Sequence, residues 1–224
     1  MLIGGEGHDV QLGGGGDDYL QPGPGVDRVS CGAGSDTVRG AAAGDRVDDD
    51  CERVVAPNGC QLVPNTRCPG ANLRNASLTG LDLHGAVFTD ANLIGAGMAR
   101  TNLRGANISG SSFLTSAVAI RADLTGANLS GAWSPFVKYV DAKLVNLEGL
   151  GVKFAFAELT YADLSGADLS GADLTGADLT GADLEYSSLV GANLTGASIR
   201  GAKMTGTKFC NTTMPNGSIN NADC

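Results

Sequence analysis

The stretch from Tyr161 to Tyr186, "YADLSGADLSGADLTGADLTGADLEY", places Asp163, Asp168, Asp173, Asp178 and Asp183 five residues apart. A leucine follows each of them, at Leu164, Leu169, Leu174, Leu179 and Leu184. Each step of five along an α-helix turns about 140° past a full turn, which scatters the leucines around every side. A flat strand has a period of two, so an odd step sends successive leucines to opposite faces. One buried stripe therefore requires the chain to turn a corner once per repeat. That geometry is a solenoid, its hollow filled by the leucine and the alanine two residues before it.

The unit A-(D/N)-L-x-x runs well beyond this stretch. One phase contains Ala71-Asn72-Leu73, Ala76-Ser77-Leu78, Ala91-Asn92-Leu93 and Ala106-Asn107-Ile108. A second runs from Ala122-Asp123-Leu124 through Ala192-Asn193-Leu194 to Ala222-Asp223. The sequence resembles the pentapeptide-repeat family. The resemblance implies an all-β fold, a right-handed quadrilateral β-helix with about four repeats per turn. Roughly 30 repeats would then make seven or eight coils, a rod on the order of 35 Å long at ~4.8 Å per coil. Gly, Ser and Thr in the last two positions suit the corners.

Three irregularities interrupt the pattern. Ser111-Ser112-Phe113 belongs to the first phase and Ala122 to the second, so one residue is inserted, expected within "SAVAIR" at 116–121. Ser134 and Pro135 replace a core Leu and a corner residue, and Gly149 stands where another core Leu belongs. Because Pro cannot donate to an interior ladder, a bulge or loop is expected from Trp133 to Tyr139.

With four repeats per coil, residues twenty apart share a face, so the aspartates form a belt and not a single column. The four columns read Asp123, Lys143, Asp163, Asp183, Lys203, Asp223; Asn128, Glu148, Asp168, Ser188, Lys208; Trp133, Lys153, Asp173, Asn193, Thr213; and Lys138, Glu158, Asp178, Ser198, Ser218. Cations stand one coil from carboxylates in all four, Lys208 excepted. Exposed pairs of this kind contribute about 0–1 kcal/mol each, yet they interrupt runs of like charge. Some members of the family imitate DNA and bind a type II topoisomerase, which needs columns of one sign. From residue 71 onward there are 13 acids and 10 bases. The mixed columns favour aspartates that are surface letters of the repeat.

The first segment follows a different rule. Asp9, Asp18, Asp27, Asp36 and Asp45 fall nine apart, each after a glycine-rich turn. Leu20, Val29, Val38 and Val47 follow two residues after the last four of them. This resembles the RTX, or haemolysin-type, calcium-binding nonapeptide, which implies a short parallel β-roll. Calcium takes six to eight oxygens at about 2.3–2.6 Å. The resemblance assigns them to the five aspartates and to turn carbonyls near Gly5, Gly7, Gly14, Gly16, Gly23, Gly25, Gly32 and Gly34. It pairs Asp9 with Asp27, Asp18 with Asp36, and Asp27 with Asp45. Gln11, Pro22 and Cys31 depart from the pattern, so at most two well-formed calcium ions are expected, and no organic cofactor. A flexible Gly/Asp linker is the alternative. The abrupt "MLIGG" leads to the expectation that further repeats and an export signal lie upstream of this chain.

The net charge is −9, and 11 acids against 5 bases in the first 70 residues supply −6 of it. That balance argues against nucleic acid and anionic membranes as partners, and no apolar stretch approaches a membrane span. Six cysteines allow fifteen pairings. Their local placement favours Cys31–Cys51, Cys60–Cys68 and Cys210–Cys224, the last two flanking the solenoid, whose open ends need caps. Disulfides imply an oxidising compartment. Zinc held by Cys60, Cys68 and His84 is an alternative whose spacing fits no zinc pattern.

The expected organisation is 1–50 as calcium-binding nonapeptides, 51–70 as a disulfide-bearing linker and cap, and 71–224 as the β-helix. His8 and His84 have no spaced nucleophile partner, so no enzyme is expected. One surface feature stands out: Trp133, Phe136 and Tyr139, with Lys153 twenty after Trp133 and Phe156 twenty after Phe136. Phe136 and Phe156 should stack, and the spacing allows a cation–π contact of Lys153 with Trp133. The favoured reading is that the rings patch the bulge over the missing Leu at Ser134; the alternative is that they offer a partner patch. The sequence thus points to a secreted scaffold for a protein or cell-surface partner, with no membrane insertion. The rival is an intracellular DNA mimic directed at a topoisomerase.

Overall fold

Glycine turns and one inward aliphatic side chain per nine residues build the N-terminal segment into two parallel sheets. The computed structural model describes residues 1–41, 45–48, 51, 53–55, 59–112 and 117–224. Strands β1 (Leu2–Ile3), β3 (Tyr19–Gln21), β5 (Thr37–Arg39) and β7 (Arg53–Val55) form one sheet in that order. Strands β2 (Val10–Gly15), β4 (Arg28–Ala33) and β6 (Arg46–Val47) form the other. Leu2 lies beside Leu20, Val10 beside Arg28 and Tyr19 beside Thr37, so each of these turns takes eighteen residues. Leu20, Val29, Val38 and Val54 are buried. Gln11 occupies the same inward row and donates from Nε2 to the Gln21 carbonyl at 3.0 Å.

Bonding between coils begins inside the segment expected as a linker. The Asn65 amide donates to the His84 carbonyl, and Arg67 bridges Val87. Parallel bridges then join residues twenty apart, as in Asn72 with Asn92 and Asn92 with Ser112. Leu and Ala line most of the described interior, with Phe88, Met98 and Ile108 at Leu positions. Among the described residues no helix is long and apolar enough to cross a membrane.

The irregularities resolve physically. The offset becomes twenty-one from Gly97–Val118 to Ser112–Trp133 and returns to twenty at Val118–Lys138. The change of offset therefore falls between Ser112 and Ala117; residues 113–116, Phe113 among them, lie outside the described residues. Most of the "SAVAIR" stretch already follows the second phase.

The bulge expected from Trp133 to Tyr139 does not form. Trp133–Lys153 and Lys138–Glu158 keep the register, and the Ser134 amide donates to the Lys153 carbonyl at 2.8 Å. Two compensations explain this. Pro135 takes the fourth position of its repeat, whose amide elsewhere donates to a side chain, as Thr125 does to Asp123 and Ser130 to Asn128. The coil-to-coil ladder therefore loses nothing, and Trp133, which cannot accept, has no amide to receive. In the interior, Ser134 and Gly149 each precede a bulky ring by five residues, Tyr139 and Phe154 respectively. Both rings are fully buried, and they meet edge to face at 5.4 Å.

The coil ends earlier than the repeat phase. The last bridge joins Asn193 to Thr213. A turn through Pro215-Asn216-Gly217 then reverses the chain, and β8 (Thr212–Thr213) pairs antiparallel with β9 (Ile219–Asn220). Asp223 and Asn221 side chains accept the Phe209 and Asn211 amides at 2.9 and 2.8 Å. Ser218 and Asp223 thus belong to a folded-back cap and not to the columns of the rod.

Candidate functional site

The N-terminal turns bring together the three aspartate pairs read from the sequence. The Asp9 amide donates to Asp27 Oδ1 at 2.8 Å, Asp18 to Asp36 at 2.7 Å, and Asp27 to Asp45 at 2.9 Å. All eight turn glycines named above have positive φ, from 95° to 154°. At Gly23 and Gly25 an added Cβ would collide with the carbonyls of Gly5 and Gly7, and at Gly32 and Gly34 with those of Gly14 and Gly16. Backbone oxygens therefore converge on space that only glycine leaves open. The outer carboxylate oxygens of Asp9 and Asp27 are buried and accept no hydrogen bond. Among the described residues no three His, Cys, Asp or Glu side chains converge on one point. A cation in these turns would rest on carbonyls plus paired carboxylates, a donor set suited to calcium.

The cysteines pair as Cys31–Cys51, Cys60–Cys68 and Cys210–Cys224. Cys60 and Cys68 are thereby removed as zinc ligands. His84 instead stands 3.0 Å from Asp82 on the surface.

The five belt aspartates fasten corners. Their Oδ1 atoms accept the amides of Ser165, Ser170, Thr175, Thr180 and Glu185 at 2.9 to 3.1 Å. Thr180 holds the Asp178 carboxyl below its ordinary range, and the Glu185 amide with Lys203 does the same for Asp183. Asn takes the identical role at Asn128 and Asn193. This explains the interchange of Asp and Asn, and the sequence reading missed it. The signal was present in the recurring D-L-S and D-L-T triplets. The columns stack as expected from Asp123 to Lys203 and from Lys138 to Ser198. Contact ion pairs within them are Lys138–Glu158 at 2.7 Å and Lys203–Asp183 at 2.9 Å.

The aromatic patch is rearranged. Phe136 and Phe156 stack at 5.2 Å with planes 9° apart. Tyr139 is buried and leaves the surface, because Ser134 opens room for it inside. Lys153 bridges Trp133 in register, but among the described residues no cation–π contact joins them. Two rings missed by the sequence reading, Tyr161 and Tyr186, are exposed at corners of the same kind. Phe136, Phe156, Tyr161 and Tyr186 all have φ between 56° and 59°, the corner conformation that glycine adopts elsewhere.

A family model described as pentapeptide repeats matches eight copies, at residues 71–110, 98–133, 151–185 and 177–214. Among solved structures, the chain is similar to HetL, a pentapeptide repeat protein involved in heterocyst differentiation regulation from the cyanobacterium Nostoc sp. strain PCC 7120. Identity is 24%, with 96% of this chain and 92% of that one covered and a TM-score of 0.48. It is also similar to full-length QnrB1, a plasmid-mediated fluoroquinolone resistance protein, at 14% identity, 92% and 93% coverage and a TM-score of 0.39. A third is Rfr23, a pentapeptide repeat protein from the cyanobacterium Cyanothece 51142, at 23% identity, 66% and 88% coverage and a TM-score of 0.22. No curated protein sequence matches.

Proposed function

The chain belongs to the pentapeptide-repeat family, and from that premise we propose a non-enzymatic, secreted scaffold: a calcium-binding RTX-type roll joined to a right-handed, four-sided β-helix. The observation that carries the calcium half is the pair of buried, unbonded carboxylate oxygens on Asp9 and Asp27. A charged oxygen removed from water without a partner is costly, and a cation in the turns relieves that cost. Asp9 with Asp27, and Asp18 with Asp36, would hold two ions, aided by the carbonyls of Gly5, Gly7, Gly14 and Gly16. Bound calcium would supply positive charge where backbone dipoles and carboxylates of successive turns face each other.

Three disulfides support an oxidising compartment, where calcium is abundant. The parallel bridges, twenty residues apart except across one coil of twenty-one, support a rigid rod, a form suited to presenting a surface to a protein or cell-surface partner. The rival reading, a DNA mimic acting on a type II topoisomerase, needs uninterrupted negative columns. Lys138 and Lys203 sit within those columns and pair with their acids. Supercoiling inhibition lost on neutralising Asp163 and Asp168 would overturn the scaffold reading.

Calorimetric titration of the oxidised protein with calcium tests the calcium half. We expect saturable binding of up to two ions, with magnesium much weaker, loss of one ion in Asp9→Asn/Asp27→Asn and loss of both when Asp18→Asn/Asp36→Asn is added. Absence of binding in the unsubstituted chain contradicts the proposal.

A further inference from the structure

The scaffold reading leaves open which surface a partner uses, and one face of the rod answers it. Phe156 and Tyr161 occupy successive corners of one coil, with Glu158 between them. One coil later Gly176, Asp178 and Gly181 take the same three places, and Glu158 bridges Asp178 directly. Both rings lean over those glycines. A Cβ on Gly176 would lie 2.5 Å from Phe156 Cε1, and one on Gly181 2.5 Å from Tyr161 Cδ1. The Asp178 carboxylate is thus flanked on both sides by a half-exposed ring, 52% for Phe156 and 65% for Tyr161.

The charges on this face are unequal in their satisfaction. Glu158 is paired with Lys138, and on the adjoining face Asp183 is paired with Lys203. Asp178 receives hydrogen bonds from Thr180 and Thr160, which hold it ionised, but among the described residues no cation pairs with it. Residues 154–199 contain seven acids and no base. The next coil brings Arg200 beside this face, where its carbonyl accepts the Gly181 amide, but among the described residues it forms no ion pair with Asp178. The fold does not require the rings. Glycine makes the same corner at Gly176 and Gly181, whereas Phe156 and Tyr161 hold a left-handed backbone unfavourable for bulky side chains.

We propose that the Asp178 face, walled by Phe156 and Tyr161, docks an arginine side chain of a protein partner. The inference rests on the scaffold reading. One face of Phe156 is stacked on Phe136 and the other lies over Gly176, so Phe156 contributes its edge as a wall. A guanidinium, planar and weakly hydrated, can lie against that edge and the exposed Tyr161 ring while its N–H groups reach a carboxylate. A lysine ammonium keeps its water more strongly and offers no flat face. Aromatic and arginine contacts of this kind dominate the energetics of protein interfaces.

The probe is the peptide acetyl-Gly-Arg-Gly-amide, titrated into the oxidised full chain and followed by NMR. The reporters are the Thr180 amide, which donates to Asp178 Oδ1 at 2.9 Å, and the Tyr161 ring. We expect both to shift saturably, with the citrulline peptide binding roughly tenfold or more weakly and the lysine peptide intermediate. Asp178→Asn should keep the corner, since Asn128 accepts the same kind of bond from Ser130, and should lose the arginine preference. Tyr161→Gly should also keep the corner and weaken binding. Melting curves establish that both variants are folded. Equal response to arginine and citrulline, an unchanged Asp178→Asn, or shifts confined to another face overturns the proposal. The calcium titration does not involve this face, so the two readings fail separately.

Discussion

Ser134 Oγ lies 2.9 Å from the Tyr139 hydroxyl, and both residues are fully buried. A small residue on one side of the coil therefore accommodates a large one on the next, and the only polar atoms introduced satisfy each other. Burial pushes the Tyr139 hydroxyl up, against a smaller opposing effect of Ser134, so it stays protonated at every ordinary pH. Restoring the repeat consensus at one position alone should fail. Ser134→Leu overpacks the coil and should cost about 1–3 kcal/mol, while Ser134→Leu/Tyr139→Leu should recover much of that loss. Denaturant unfolding of the double-mutant cycle measures the coupling, and simple additivity would refute it.

The corner role of the belt aspartates makes a second prediction. Asp173 accepts both the amide and the hydroxyl of Thr175, at 3.1 and 2.7 Å. Asp173→Ala should destabilise by about 0.5–1.5 kcal/mol, whereas Asp173→Asn should be close to neutral. Equal effects of the two substitutions in thermal unfolding would mean that charge, not the corner bond, is what the position supplies.

Acid should expose the same bonds. Asp82, Asp178 and Asp183 have carboxyls lowered from 3.8 by the groups they accept from. A folded-state value below the unfolded one adds stability that is complete above the unfolded value and fades as pH falls through the folded one. Urea midpoints in chelator should therefore hold steady from pH 7 down to about 5 and fall below about 4. Asp178→Asn/Asp183→Asn should flatten that fall, and a midpoint that rises on acidification would contradict the assignment.

The period of five and the inward leucines made the solenoid legible, and the nine-residue phase made the eighteen-residue turns legible. Local cysteine spacing gave the three pairings. What escaped were compensations between residues. Ser134, Pro135 and Gly149 each violate the repeat alone, yet Tyr139, Trp133 and Phe154 absorb the violations, and a one-residue-at-a-time reading saw only a bulge. The exposed rings at Tyr161 and Tyr186 escaped because a corner letter is normally variable. A cap at Cys210–Cys224 was legible from the cysteines, but its fold-back was not, because residues 214–224 keep enough of the repeat pattern to hide the turn at Gly217.

The cap should be a separable unit. Cys210 and Cys224 close a loop with a sequence separation of 14, for which chain entropy suggests about 3 kcal/mol. Cys210→Ser/Cys224→Ser should lower the melting temperature and accelerate hydrogen exchange at the Phe209 and Asn211 amides. Protection at Leu164 and Leu169, deep in the rod, should change far less in the same exchange experiment. Uniform loss of protection would show that the end does not fray independently.

The most direct test of the account is the thermal unfolding midpoint of the oxidised protein in millimolar calcium and then in excess chelator. Ligand bound only by the native state raises the midpoint by mass action. The account predicts a clear rise with calcium that shrinks in Asp9→Asn/Asp27→Asn, disappears when Asp18→Asn/Asp36→Asn is added, and is much smaller with magnesium at the same concentration. An identical midpoint in calcium and chelator would contradict it, leaving the buried Asp9 and Asp27 oxygens without a cation and the chain a pentapeptide rod alone.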